Sequence, residues 1–386
     1  MPAQSTTVFM LSAAAMALPG VSYGRDQPTG VRVDIQTSLY EEGDQSLSDI
    51  AVGDDDRYDI DIYQFTVATP VAESWSLTFK GTRELMSGAS PWGTSADADG
   101  APILIMSGAT IDDQRTELGL RLTRYSSNRS YAVALEHSRE DDYEALGVSI
   151  DGEIDLNRSH SLLGYGVSYS SDTIEPTDAL IYGRVTREHK RSHSAFLSFT
   201  QVLSRTSQLQ MGFSYTQYEG FLSDPYKLRD IRPDERQQLT LSTRYRHYFE
   251  DLAAALHLDY RFYRDDYDVE AHTLELAWHQ NFGEAFSMTP SLRYYGQAEA
   301  GFYLPIDDYN LTDSISQSSD YRLSTYGALT FGLKAEYRHQ ATSNWRIRLS
   351  VDQYQSDADY SYRNAEVAHP ALIDFTMISL GLTWRL

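Results

Sequence analysis

Adjacent aspartates recur along this chain, and four of the runs are Asp54-Asp55-Asp56, Asp141-Asp142, Asp265-Asp266 and Asp307-Asp308. Neighbouring carboxylates are the hard oxygen donors a divalent cation takes. None of the four has the spaced ligand pattern of a dedicated calcium loop, so solvated acid is the expectation and no metal site is assigned. Histidine beside Ser or Asp would suit a barrel hydrolase. His189 and His193 border one connection, and Asp265, Asp266 and His272 share another. Ten histidines among 55 acids produce such neighbours by chance; the Gly-x-Ser-x-Gly spacing at Gly20–Gly24 falls in the apolar leader read below, and no His-Glu-x-x-His or phosphate-loop pattern is present. The reading is therefore no enzyme, no catalytic residue and no cofactor. The absence of cysteine excludes disulfides and thiolate metal sites, and a net charge of -23 argues against nucleic acid as a partner.

A third set of charges is spaced differently. Lys80, Arg121, Glu136, Arg244, Asp259, Arg261, Glu275, Lys334, Glu336, Arg346, Arg348 and Asp352 all fall on the polar faces of alternating segments. Facing a water-filled lumen they would select solutes; paired as Arg–Glu ladders they would stiffen a wall. The elements that must position them have a period of two. Leu118, Leu120 and Leu122 alternate with Gly119 and Arg121, and Ile347, Leu349 and Val351 alternate with Arg348 and Ser350. That alternation gives one greasy face and one polar face. Such windows recur from Val31–Tyr40, through Arg57–Ala68, to Tyr321–His339 and Asp374–Leu386. Their count predicts an all-β, antiparallel up-and-down transmembrane barrel of about sixteen strands, with fourteen as the alternative. In the second window the outward set shifts from Ile60 and Ile62 to Phe65 and Val67, which predicts a bulge.

The two ends agree with this. Val8–Leu18 is an apolar run without a basic n-region, and Ser22 and Gly24 suit cleavage after Gly24. Residues 1–24 thus read as a secretory leader and 25–386 as one barrel domain. The last strand carries Leu380, Leu382, Trp384 and Leu386 on one face. Ser379, Gly381, Trp384 and Leu386 match a barrel-assembly signal, with Leu386 where an aromatic is usual. Mean hydropathy of -0.44 is low for a membrane protein, but half of each barrel strand faces water.

Connections fall into two classes. Seven short ones alternate with mostly longer, acidic ones, as periplasmic turns and extracellular loops do, which puts both termini in the periplasm. Trp75, Trp278, Trp345 and Trp384 then share the periplasmic interface, while Tyr40, Tyr58, Tyr143, Tyr169, Tyr218, Tyr263, Tyr294 and Tyr354 form a second girdle at the other rim. Met86–Asp113 reads as the longest loop. Its apolar run Pro102-Ile103-Leu104-Ile105-Met106 does not belong in solvent, so the loop is expected to fold inward as a constriction.

That loop opens with Ser87, Gly88, Ala89, Ser90, Pro91 and Trp92. With Arg158-Ser159-His160-Ser161 before Gly164, the leader and the last strand, it resembles a family of Gram-negative outer-membrane proteins catalogued as domain of unknown function 3570. The resemblance implies an outer-membrane barrel and carries no catalytic residue. Family members tend to be encoded near a flavin transferase, a thioredoxin-like protein and a small lipoprotein, which implies a periplasmic redox or small-lipoprotein partner. The expected surroundings are outer-membrane lipid, lipopolysaccharide and the barrel-assembly machinery of a Gram-negative bacterium. The expected function is a porin-like channel for small solutes. The alternative is a non-conducting scaffold docking redox or flavin-maturation partners, and a barrel hydrolase ranks below both.

Overall fold

The computed structural model describes residues 27–107, 111–157, 160–339 and 344–386; the leader reading at 1–24 lies outside them. Sixteen long strands dominate. They are β1 Arg32–Glu42, β2 Asp59–Ala72, β3 Trp75–Gly88, β4 Ile111–Tyr125, β5 Arg129–Arg139, β6 Tyr143–Leu156, β7 Ser161–Ile174 and β8 Glu188–Val202. After these come β9 Ser207–Gly220, β10 Glu235–Phe249, β11 Ala254–Asp265, β12 Glu270–Phe282, β13 Phe286–Gln297, β14 Tyr326–His339, β15 Asn344–Asp357 and β16 Phe375–Arg385. Each pairs antiparallel with its sequence neighbours, and β1 pairs with β16 to close the cylinder.

Register turns the alternation into two surfaces. Ile347 lies opposite Leu382, Leu349 opposite Leu380, and Leu333 opposite Val351. Leu380 is 51% exposed and Leu349 48%, and comparable leucines and valines ring the whole cylinder. A continuous apolar belt of this extent is intolerable in water and fits a bilayer. The protein is a transmembrane barrel.

Three details differ from the sequence reading. No bulge lies between Ile62 and Phe65: the pairing of β2 with β1 and β3 runs unbroken from Asp59 to Ala68, and its register shifts only near its end, between Pro70 and Ala72. Ile60 and Ile62 instead face inward, where Ile60 packs with Tyr40, Tyr58 and Met86. The lumen at that height is a packed apolar cluster, so alternation reversed its meaning there. Tyr321–Leu323 is a 3-10 turn rather than strand, capped by the Asp320 side chain, which accepts from the Arg322 N–H. The second aromatic girdle also dissolves. Tyr40, Tyr143, Tyr218, Tyr263 and Tyr354 share the inward parity of their strands, and only Tyr169 and Tyr294 lie on the lipid-facing parity. Nearness to the rim fixed the height of these rings; parity fixed their direction. At the short-turn end, Trp345 lies opposite Trp384, and Trp75 opens β3.

Closure rests on the last residues. Val33 pairs with Trp384, Arg32 with Arg385, and the Leu386 N–H donates to the Val31 carbonyl at 2.8 Å. Deleting Trp384–Leu386 strips these partners, and each unpaired backbone group facing hydrocarbon costs several kcal/mol. The truncated chain is expected to lose its heat-modifiable band on gels, the signature of a folded barrel. A normal band shift would contradict this account of the seam.

Candidate functional site: a cap and the chamber beneath it

The connections at one end of the barrel do not lie apart; five of them fold into a cap. Pro102–Met106 is the middle strand of a three-stranded sheet, parallel to Ile50–Val52 and antiparallel to Pro91–Ala96. A second small sheet joins Asp230–Ile231 to Gln317–Ser318. Leu104 and Met106 are fully buried with Ala89, Tyr321 and Ala371, against Ile50, Leu372 and Ile373. Four connections thus share one core, and burying Leu104 or Met106 contributes roughly 1.5–3 kcal/mol each. The apolar run leaves solvent as expected, but into a composite core rather than as a lone constriction. The loop itself is shorter than the span 86–113, because its ends belong to β3 and β4, and the connection 298–325 exceeds it.

Ser87, Gly88, Ala89, Ser90, Pro91 and Trp92 form the joint between wall and cap. Ser87 and Gly88 end β3. Gly88 has φ +134°, and a Cβ there would run into the Arg57 carbonyl, so only glycine fits. Ala89 enters the cap core, the Ser90 N–H donates to the Ser107 hydroxyl at 3.1 Å, and the Pro91 carbonyl accepts from Lys227 Nζ at 3.1 Å. The Trp92 carbonyl accepts from the Leu228 N–H at 2.7 Å, and its ring meets Tyr182 edge-on at 5.8 Å. Of the second motif, Arg158 and Ser159 lie outside the described residues; His160 sits at a short turn, its carbonyl accepting from Gln201 Nε2 at 3.0 Å.

Buried ions tie the cap together. Arg232 binds Asp230 at 2.9 Å and Asp320 at 2.8 Å, and Arg322 binds Asp320 and Asp224. Burial alone would push the Asp320 carboxyl up, yet Arg322, Lys227 and Arg232 hold it well below the usual range. Arg57 and Glu42, each 1% exposed at the side chain, pair at 2.9 Å where the wall meets the cap. Removing one partner of such a pair costs about 3–5 kcal/mol. His369 is locked into one tautomer. The Ala371 N–H donates to Nδ1 at 3.0 Å, so the proton sits on Nε2, which donates to the Ser319 carbonyl at 2.8 Å. Burial lowers its pKa to about 4, the Ser319 bond opposing and Lys227 adding to the fall.

Beneath the cap lies a chamber of about 360 Å³, within the range of small-molecule sites. Its walls are inward side chains of β6 to β13, among them Tyr143, Lys190, Tyr218, Arg236, Arg261, Tyr263, Arg293 and Tyr295, and its roof includes Tyr226, Arg232 and Arg322. Most of the cations have carboxylate partners: Lys190 with Asp172 at 3.3 Å and Arg236 with Asp265 at 2.5 Å. Arg261 and Arg293 have none among the described residues, and Arg261 Nε is buried without a hydrogen bond.

The other sequence-selected charges all lie on inward strand positions. Arg121 pairs with Asp151 at 2.5 Å, Asp259 with Arg246, and Glu336 with Arg338 at 2.7 Å and Arg346 at 3.4 Å. Lys80, Glu136, Arg244, Glu275, Lys334, Arg348 and Asp352 make no ion pair within 4 Å among the described residues. Ladder and lumen readings thus coexist, segment by segment. Two groups of acids converge, the first of them legible in the sequence and the second not. Asp54, Asp55 and Asp56 offer ligand oxygens within 4.8 Å of one another at the surface. Asp113, Glu140 and Asp142 do the same while buried. Only barrel register brings Asp113 on β4 beside the β5–β6 turn, so nothing short of the pairing could reveal that triad. Burial pushes Asp142 up to about 7 and Glu140 well above the carboxylate range.

A family model described as "Protein of unknown function (DUF3570)" matches residues 8–369, and the chain belongs to that family. No match was found among curated proteins. Among solved structures, a bacterial polysaccharide outer membrane secretin is 9% identical with a TM-score of 0.49, covering 94% of this chain and 100% of that one. The siderophore receptor PirA from Pseudomonas aeruginosa is 11% identical with a TM-score of 0.47, covering 92% of this chain, which spans 62% of the receptor. A BenF-like porin from Pseudomonas fluorescens is 7% identical with a TM-score of 0.44, covering 92% of this chain and 98% of that one.

His369 makes the cap acid-sensitive. A depressed folded-state pKa stabilises above the unfolded value of about 6.5 and loses that contribution as pH falls through about 4. The full loss is on the order of 3 kcal/mol. Asp142, with its raised pKa, works in the opposite sense: its contribution is present at low pH and is lost as pH rises through about 7. The informative comparison is therefore wild type against His369→Gln at matched pH. Protease cleavage of the cap should accelerate between pH 6.5 and 4 in wild type and change much less in the variant, whose cap is weaker throughout. Identical pH profiles would remove His369 from the account.

Proposed function

We propose that this member of the DUF3570 family is an outer-membrane channel whose cap faces the cell exterior and whose chamber selects small anionic solutes. Residues 1–24 serve as its export leader, and both termini lie in the periplasm. The observation that carries the reading is the pair Arg261 and Arg293, which face the chamber with no carboxylate against them among the described residues. A guanidinium in a partly desolvated chamber raises the local concentration of anions, and its planar donors suit carboxylate or phosphate. Tyr218, Tyr263 and Tyr295 add hydroxyl and ring surface around the same space. Carbon atoms of such a solute would rest on those rings while its charge meets the arginines.

The cap limits passage. Its core and ion network are too well packed for free diffusion, so the intact protein should conduct weakly. Loosening the core with Leu104→Asp should raise single-channel conductance several-fold, because the core holds four connections together. Selectivity is the sharper measurement. In a salt gradient across a planar bilayer, the Leu104→Asp channel should favour anions. Adding Arg261→Ala and Arg293→Ala should move the reversal potential toward cations at similar conductance. Cation preference before that change, or no movement after it, would sink the anion chamber. If the loosened cap leaves the barrel closed, the scaffold that docks redox or flavin-maturation partners becomes the better reading.

A further inference from the structure

We propose that Asp113, Glu140 and Asp142 form a binding site for a divalent cation, calcium by its donor chemistry, that fastens the cap to the barrel wall. The three carboxylates come from the start of β4 and from the turn between β5 and β6. They are 5%, 6% and 5% exposed, and one oxygen from each lies within 4.8 Å of the others. That span is twice a Ca–O distance of about 2.4 Å, so a single ion reaches all three.

An acidic cluster alone would mean little; the unmet bonding of this one is informative. Among the described residues, Glu140 Oε1 and Asp142 Oδ1 are fully buried with no hydrogen-bond donor. Buried carboxylate oxygens are ordinarily satisfied, and leaving one bare is costly. The neighbouring cations make their close ion pairs elsewhere, and only the longer-range field of Arg115 reaches Glu140. Arg115 is held by both oxygens of Glu84 at 2.8 Å and lies 3.5 Å from Glu117, and Lys190 is paired with Asp172. Converging buried acids disfavour one another's charged forms, and a hard divalent ion relieves that conflict and supplies the bonds that Glu140 and Asp142 miss. Oxygen-only donors exclude a preference for soft metals, and water completes the six to eight ligands calcium takes.

The site's position gives it a consequence. Asp142 Oδ2 accepts from the Tyr226 hydroxyl of the cap connection 221–234, and the Asp142 carbonyl accepts from the Glu175 N–H at 2.7 Å. Fixing Asp142 on a metal therefore fixes the cap connection, the next connection and two wall segments. The inference does not depend on the transport reading, because its observations and its test concern the cap's stability.

The test uses the full mature chain refolded into detergent without lipopolysaccharide and stripped with EDTA. Calcium chloride is titrated by calorimetry, and the temperature at which the heat-modifiable band disappears is measured with and without it. Wild type should show a single saturable site and a transition several degrees higher with calcium. Glu140→Gln and Asp142→Asn should each lose the site and the shift. In EDTA both variants should be at least as stable as wild type, because each replaces an acid whose charged form is disfavoured by burial and by its neighbours with a neutral isostere. A variant with Asp54, Asp55 and Asp56 changed to Asn should keep the full response. Absence of saturable binding to wild type, or wild-type affinity in Glu140→Gln, would overturn the site. So would variants less stable than wild type in EDTA, which would mark the carboxylates as structural acceptors.

Discussion

Inside a bilayer no water is available to satisfy the backbone, so every N–H and C=O must find a partner within the protein. A sheet meets that demand only by closing on itself, and most of this structure follows from closure. Sixteen strands must alternate in character, since each has one wall in lipid and the other on the lumen. β1 and β16 must meet in register, which ties the residues after Val31 to Trp384 and Arg385. The alternating charges follow from the same constraint. Arg121, Arg246 and Glu336 can exist in a membrane protein because parity turns them inward, where Asp151, Asp259 and Arg338 meet them.

The cap obeys different physics. Its connections lie outside the hydrocarbon and are free to be irregular, yet they bury charge more deeply than the lumen does. Asp320 is fully buried, and Arg232 and Arg322 converge on it. Such networks add little net stability over apolar packing, but they penalise any arrangement that leaves one member alone. A cap held this way tolerates one geometry. Gly88 belongs to the same logic: the chain leaves β3 through a conformation that only glycine adopts, beside the carbonyl of Arg57, whose side chain pairs with Glu42. The segment that carries the family resemblance is thus a joint between wall and cap.

The barrel was legible in the sequence because period two is a local signal, written in neighbouring residues. Leu349 between Arg348 and Ser350 needs no tertiary information to be placed. The departures arise where a residue's meaning depends on distant chain. Ile60 alternates like a lipid-facing residue, but at its height the lumen is filled by Tyr40, Tyr58 and Met86, so an apolar side chain belongs inside. The inward tyrosines were placed at the right height with the wrong direction for the same reason. Leu104 announced that it would leave solvent; that Tyr321 and Ala371 would cover it could be known only from the assembled connections. The Asp113, Glu140 and Asp142 triad is the extreme case, because proximity there is created by strand pairing alone.

The chamber joins these two regimes. Glu140 and Asp142 line it together with Arg261 and Arg293, so acids and bases that make no ion pair among the described residues face one chamber. In a medium of low effective dielectric, opposite charges across a small cavity act on the same visitor. An anion drawn to the arginines is repelled by the carboxylates unless something neutralises them. A divalent ion on the triad would turn a locally negative wall into one close to neutral and leave the guanidinium field dominant. Cap fastening and solute preference, argued from separate residues, would then be governed by a single electrostatic balance.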